Sequence, residues 1–141
     1  MTEKLLENLN AKQQEAVRAT KGPVLIFAGP GSGKTATLTT RIAYLMMQGT
    51  PPERILAVTF TNKAAGEMRE RVSRLLNSTI LPFIGTFHAL AVRMLRRHGP
   101  LIGIPQRFTI FDTDDTLSLI KDILKDLDIP PKQFPASMLL N

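Results

Sequence analysis

The sequence contains no cysteine, so no disulfide can staple it. That suits a reducing cytoplasm, which is the compartment expected here. No apolar run approaches the ~18 residues that a membrane-spanning helix needs. The opening stretch MTEKLLENLN has acidic residues and no apolar centre, unlike a secretion signal. Internal repeats and low-complexity tracts are missing as well. What remains is a chain of 141 residues, 43% hydrophobic and 21% charged, the composition of an ordinary globular domain. Its net charge of +6 permits an anionic partner, although many solvated surfaces carry as much.

Strand and helix signals alternate along the chain. LNAKQQEAV reads as a short helix, with Asn10 as N-cap and Gln13 at the third helical position, as in a capping box. GPVLIFAGPG follows: a turn, an apolar run from Val24 to Phe27, then glycine. A short, wholly apolar run of this kind suits a buried parallel strand. From Lys34 to Met47, residues Leu38, Ile42, Leu45 and Met46 fall on one helical face. Gly49, Pro51 and Pro52 stop that helix.

RILAVTF predicts a second strand ending at Phe60. Thr61 or Asn62 caps the next helix, whose inner face is Ala65, Met68, Val72, Leu75 and Leu76. PFIGTF predicts a third strand, and a helix runs from His88 to His98 before Gly99 and Pro100. Further on, RFTIFD reads as a short strand. A helix capped by Asp112 or Thr113 then runs to about Leu127, with Leu117, Ile120, Leu124 and Leu127 as its stripe. IPPKQFP is a loop, and Pro135 is placed to open another helix. The order predicts an α/β fold, a parallel sheet flanked by helices, with a boundary between Gly103 and Gln106.

The stretch AGPGSGKT carries the clearest chemistry. A phosphate-binding loop reads Gly-x-x-x-x-Gly-Lys-Ser/Thr between a strand and a helix. Ala28 stands where the first glycine would be; Gly33, Lys34 and Thr35 fit. Gly29, Gly31 and Gly33 let the backbone turn and bring N–H groups against phosphate oxygens, with Pro30 and Ser32 between them. The helix N-terminus adds partial positive charge. Lys34 can reach the β and γ phosphates of a nucleotide, and the Thr35 hydroxyl can ligate Mg2+.

Other stretches admit two readings each. An amide such as Gln13 both donates and accepts, so it can read an adenine edge; it can equally serve only the capping box. Phe60 sits at a strand end beside Thr61 and Asn62, where ligands gather in open α/β sheets. It is either a stacking platform for a base or a core phenylalanine followed by a cap. Thr86, Phe87 and His88 repeat that design. His88 has neither cysteine nor carboxylate beside it and does not suggest a metal ligand. Arg93, Arg96 and Arg97 lie at helical spacing, either to track phosphates or as a solvated face. The acids from Asp112 to Asp115 precede a helix, where capping explains them better than Mg2+ does.

LNAKQQEAV, AGPGSGKT, AVTFTNKAAGEMRERV and GTFHALAVRMLRR occur in the order and spacing of the UvrD/Rep/PcrA-like superfamily 1A DNA helicases, which the chain resembles over nearly its whole length. The resemblance implies a P-loop NTPase (RecA-like) fold, here truncated. Residues 1–105 would be the N-terminal part of ATP-binding domain 1A; residues 106–141 would begin helical subdomain 1B, a short C-terminal extension. It implies that Gln13 reads adenine and that residues 28–35 hold ATP with Mg2+. It also implies that Phe60, Thr61, Asn62, Thr86, Phe87 and His88 contact single-stranded DNA. Such enzymes walk 3′ to 5′ along one strand and open duplexes at single-strand/double-strand junctions. Ala36 stands where relatives often carry Arg, and Pro30 replaces a common Ala.

Hydrolysis in that family needs an Asp-Glu pair to hold Mg2+ and activate water. The sequence has no Asp-Glu dipeptide. These residues alone are therefore expected to bind nucleotide weakly and not to turn it over. Sheet surface awaiting the family's later strands is expected to be exposed, and the chain to self-associate or to need the rest of the helicase. Two other readings compete: a stand-alone, non-enzymatic nucleotide or single-strand-binding module, and a small P-loop kinase. The kinase would need an acceptor site and an arginine-rich lid, which neither TFTNKAA nor GTFH suggests.

Overall fold

The computed structural model of the chain describes residues 2–130 and 134–140. Residues 131–133 of the predicted IPPKQFP loop lie outside that range. The chain falls into two compact units, Met1–Met94 and Leu95–Asn141.

In the first unit, helix α1 (Thr2–Leu6) precedes α2 (Ala11–Arg18). Leu6, Leu9 and Val17 form a small core against Tyr44 of α3 (Lys34–Met47). Sequence reading missed α1, because five residues are too few to show a helical period. The capping box of α2 forms as predicted: Asn10 Oδ1 accepts from the Gln13 amide at 3.0 Å, and Gln13 Oε1 accepts from the Asn10 amide at 2.9 Å.

Strands β1 (Leu56–Thr59) and β2 (Phe83–Thr86) pair in parallel, with Leu56 opposite Phe83 and Thr59 opposite Thr86. Helix α4 (Asn62–Leu76) connects them, as a parallel pair requires. Thr61 caps it, its Oγ1 accepting from the Ala64 amide at 3.1 Å. The main core is Ile42, Ile55, Met68, Val72 and Ile84, with Leu45, Met46 and Leu76 packed on it. Each fully buried aliphatic side chain in such a cluster contributes about 1.5–3 kcal/mol.

Three expectations fail here. Val24–Phe27 is not a strand: it runs without a ladder partner, with Leu25 77% and Phe27 91% exposed. A strand is stabilised by pairing and by a covered face; this segment has no pairing, and only Ile26 is half-buried. On α3, Ile42, Leu45 and Met46 turn inward as predicted, but Leu38 is exposed, and Thr37, Thr39 and Thr40 are buried instead. The helix backbone itself satisfies two of these threonines. Thr37 Oγ1 donates to the Gly33 carbonyl at 3.1 Å, and Thr39 Oγ1 to the Thr35 carbonyl at 2.8 Å. On α4, Ala65, Met68 and Val72 are buried as expected, whereas Leu75 is exposed.

Helix α5 (Phe87–His98) leads into a 3-10 turn at Gly99–Ile102. In the second unit, RFTIFD forms no strand, having no partner to pair with. Helix α6 (Thr113–Asp126) has a capping box, in which Asp112 Oδ1 accepts from the Asp115 amide at 2.8 Å and Asp115 returns the bond. The acids of that stretch thus cap, as read. Leu124 is the buried member of the stripe, and Leu127 is exposed. After Pro135 comes a 3-10 turn at Ala136–Leu140. No helix among the described residues is long and apolar enough to cross a membrane.

Candidate functional site

The loop between Phe27 and Lys34 is shaped by its glycines. Gly31 has φ +73° and Gly33 φ +80°, a left-handed backbone that other residues adopt at a cost of about 1–2 kcal/mol. Ser32 closes the turn, its hydroxyl donating to the Gly29 carbonyl at 2.6 Å. Helices α2, α4 and α6 are capped by Asn10, Thr61 and Asp112. Helix α3 starts from Gly33 with no side-chain cap, so its first N–H groups face the loop with no side chain to satisfy them.

Two side chains hold this loop. Lys34 Nζ donates to the carbonyls of Ala28 at 2.9 Å and Gly29 at 2.7 Å. Gln13 Nε2 donates to the Ser32 carbonyl at 2.9 Å while its Oε1 serves the cap of α2. A Cβ on Gly33 would stand 2.7 Å from Gln13 Nε2, so the close approach of α2 to the loop also needs that glycine. Gly29 differs: a Cβ there meets nothing within 4 Å, and the residue is not among those with positive φ. Neither packing nor conformation within the chain asks for glycine at that position. A cavity of about 260 Å3 opens beside the loop, lined by Gln13, Phe27, Ala28, Gly29, Ser32 and Lys34 among others. Thr35 is exposed in the first turn of α3.

The second cluster sits at the carboxyl ends of β1 and β2. Because Thr59 and Thr86 are in register, the residues that follow emerge side by side. The rings of Phe60 and Phe87 lie 5.5 Å apart, tilted by 50°. Phe60 is 87% exposed and Phe87 50%, so the core reading of Phe60 fails. Thr61 and Thr86 are committed to the backbone: Thr86 is buried, and its Oγ1 accepts from the Ala89 amide at 3.1 Å. Asn62 and His88 are exposed in the first turns of α4 and α5. Sequence reading named both phenylalanines but not their contact. The signal was there, since Thr-Phe ends both stretches and parallel pairing of like ends brings like residues together.

Arg93 lies over the Phe83 ring at 5.4 Å in the first unit, and Arg96 over Phe108 at 5.6 Å in the second. The expected basic stripe is thus partly spent on aromatic faces. A roomier cavity of about 690 Å3 lies at the amino ends of β1 and β2; of the candidate binding residues read from the sequence it contains only Arg93. The loop, not this larger space, brings together left-handed glycines, an ammonium group and a helix start without a side-chain cap, a combination suited to phosphate.

The sequence pattern of the UvrD/REP helicase N-terminal domain matches residues 9–141. The chain is similar to the ATP-dependent DNA helicase PcrA of Bacillus subtilis (strain 168), with 53% identity over 99% of this chain and 19% of the relative. It is 50% identical to PcrA of Leuconostoc citreum, over 98% of this chain and 19% of that one. With PcrA of Staphylococcus aureus it shares 49% identity over 96% of its length and 19% of the relative's. The chain therefore spans about a fifth of the length of these relatives. Since the match extends through nearly all of its residues, the chain belongs to the UvrD/REP helicase N-terminal domain family.

Proposed function

We propose that this chain is the ATP- and single-strand-DNA-binding N-terminal portion of a 3′ to 5′ DNA helicase or translocase of the cytoplasm. Residues 1–105 act as part of a RecA-like domain 1A, and residues 106–141 begin subdomain 1B. One observation carries the reading: a loop with left-handed Gly31 and Gly33, an ammonium group and an uncapped helix start converge beside one cavity. The bare Gly29 adds to it, because a glycine unneeded by the chain itself leaves room for something outside to approach the backbone.

In this reading the loop amides and Lys34 hold the phosphates. Gln13 faces the base from the same cavity with the free lone pair and free N–H of its amide. Thr35 supplies the hydroxyl for Mg2+, which when bound neutralises charge on the phosphates. Phe60 and Phe87 stack bases, with Asn62 and His88 exposed beside them and Thr61 and Thr86 fixing the turns. Without an Asp-Glu pair these residues bind ATP weakly and do not hydrolyse it. The exposed Leu25 and Phe27 support self-association of the isolated chain, or cover by the remaining helicase chain.

The test is titration of the 141-residue chain with Mg-ATP by calorimetry and with labelled oligo-dT by fluorescence anisotropy. Saturable heat that vanishes in Lys34→Glu is expected, along with oligo-dT binding weakened roughly ten- to hundredfold by Phe60→Ala. Steady phosphate release that survives Lys34→Glu, or DNA binding indifferent to Phe60, would overturn the reading.

A further inference from the structure

The 690 Å3 cavity lies at the opposite end of the strand pair from Phe60 and Phe87. Its size falls within the roughly 300–1,000 Å3 of pockets that hold ligands. Arg54, Arg69 and Arg93 line it against a single carboxylate, Glu53. The ion pairs among the described residues are Lys12–Glu15, Arg18–Glu3 and Arg74–Glu70, so none of these three guanidinium groups is neutralised within 4 Å.

Two of them are already oriented. Arg69 donates from Nη1 to the Ile84 carbonyl at 2.7 Å, and Arg93 rests over the Phe83 ring. A side chain held in this way loses less freedom when it engages a partner. Between the charges the lining is apolar, with Leu56, Leu81 and Leu90 contributing and Leu56 exposed.

The two features together select the ligand class. A bare phosphate chain would satisfy the guanidinium groups and leave the leucines wet. An apolar ligand would leave unmatched charge. Nucleic acid stacked on Phe60 and Phe87 would also have to cross the whole four-residue length of the strands, roughly 13 Å, to reach it. A peptide with carboxylates on either side of an apolar side chain satisfies both features at once. Arginine is the residue that pairs carboxylates through two parallel hydrogen bonds, and it recurs where protein partners bind tightly.

We propose that this cavity binds an acidic peptide segment of a partner protein. Its carboxylates pair with Arg54, Arg69 and Arg93, and an aliphatic or aromatic side chain rests on Leu56, Leu81 and Leu90. The site is separate from the nucleotide and DNA reading and stands without it.

The probe is a fluorescein-labelled peptide in which glutamates flank a Leu-Phe pair, titrated into the 141-residue chain and followed by anisotropy. Saturable binding is expected, weakened about tenfold or more by Arg54→Glu and by Arg93→Glu. A glutamate-only peptide binds about tenfold more weakly. Arg69 is left intact because it also holds the β2 backbone. A measurement on the unsubstituted chain guards against misfolded variants: peptide titration shifts the amide resonances of Ile55, Leu56, Phe83 and Ile84. No saturation at millimolar peptide overturns the proposal. So do equal binding of the glutamate-only peptide, displacement by oligo-dT at matched charge, or resonance shifts centred on Phe60 and Phe87.

Discussion

Val24–Phe27 and Leu56–Thr59 are two apolar runs, each leading through a turn into a helix, yet they end differently. The second is a strand, paired along its length with β2 and packed beside Ile55 and Ile84. The first has no ladder, and its Leu25 and Phe27 side chains are exposed. Apolarity is common to both and so cannot be what decides. A strand is a property of a pair, and only one run has its partner within these residues. The loop after Val24–Phe27 is nonetheless formed. Left-handed glycines supply its local geometry, and the Gln13 bond to the Ser32 carbonyl ties it to α2; neither needs a strand partner. One end of the unit is therefore held by strand pairing and core packing, the other by local conformation and the side-chain bonds of Gln13 and Lys34.

Three substitutions sharpen this contrast through chemical denaturation of the chain. Ile84→Ala, in the packed half, should cost about 2–5 kcal/mol by opening a cavity next to Val72 and Met68. Gly33→Ala should cost about 1–2 kcal/mol, because alanine resists φ +80° and its Cβ displaces the Gln13 amide. Leu25→Ser should change stability by less than about 0.5 kcal/mol, as an exposed residue outside any ladder. A loss for Leu25→Ser that matched Ile84→Ala would mean that the first run is packed in solution, and the contrast would fail.

The sequence was most legible where chemistry is local. The capping boxes at Asn10 and Asp112, the Thr61 cap and the start of α3 at Lys34 could all be read directly. So could the β1–α4–β2 unit, since an amphipathic helix between two apolar runs is the usual crossover of a parallel pair. Two apolar runs were misread as strands because periodicity says nothing about partners. The burial of Thr37, Thr39 and Thr40 was hidden because threonine looks polar until its hydroxyl turns back on the helix. In the candidate site, the sequence named residues at one loop and two strand ends, and which of them touch was not readable from it. Nothing in the order of residues says that Gln13 reaches Ser32, nineteen positions away, or that Arg93 settles on Phe83.

The ammonium of Lys34 has a consequence for selectivity. It is never bare, since two carbonyl oxygens of its own loop already solvate it. One of its three N–H groups is left for a visitor, and beyond that a visitor competes with those oxygens, so what counts is the difference between the new acceptor and the old. A neutral hydroxyl or a water molecule offers no advantage over a carbonyl. An anionic oxygen does, because it adds a full opposite charge to a bond that the ammonium alone already assists. This arrangement favours anions over uncharged molecules of the same size.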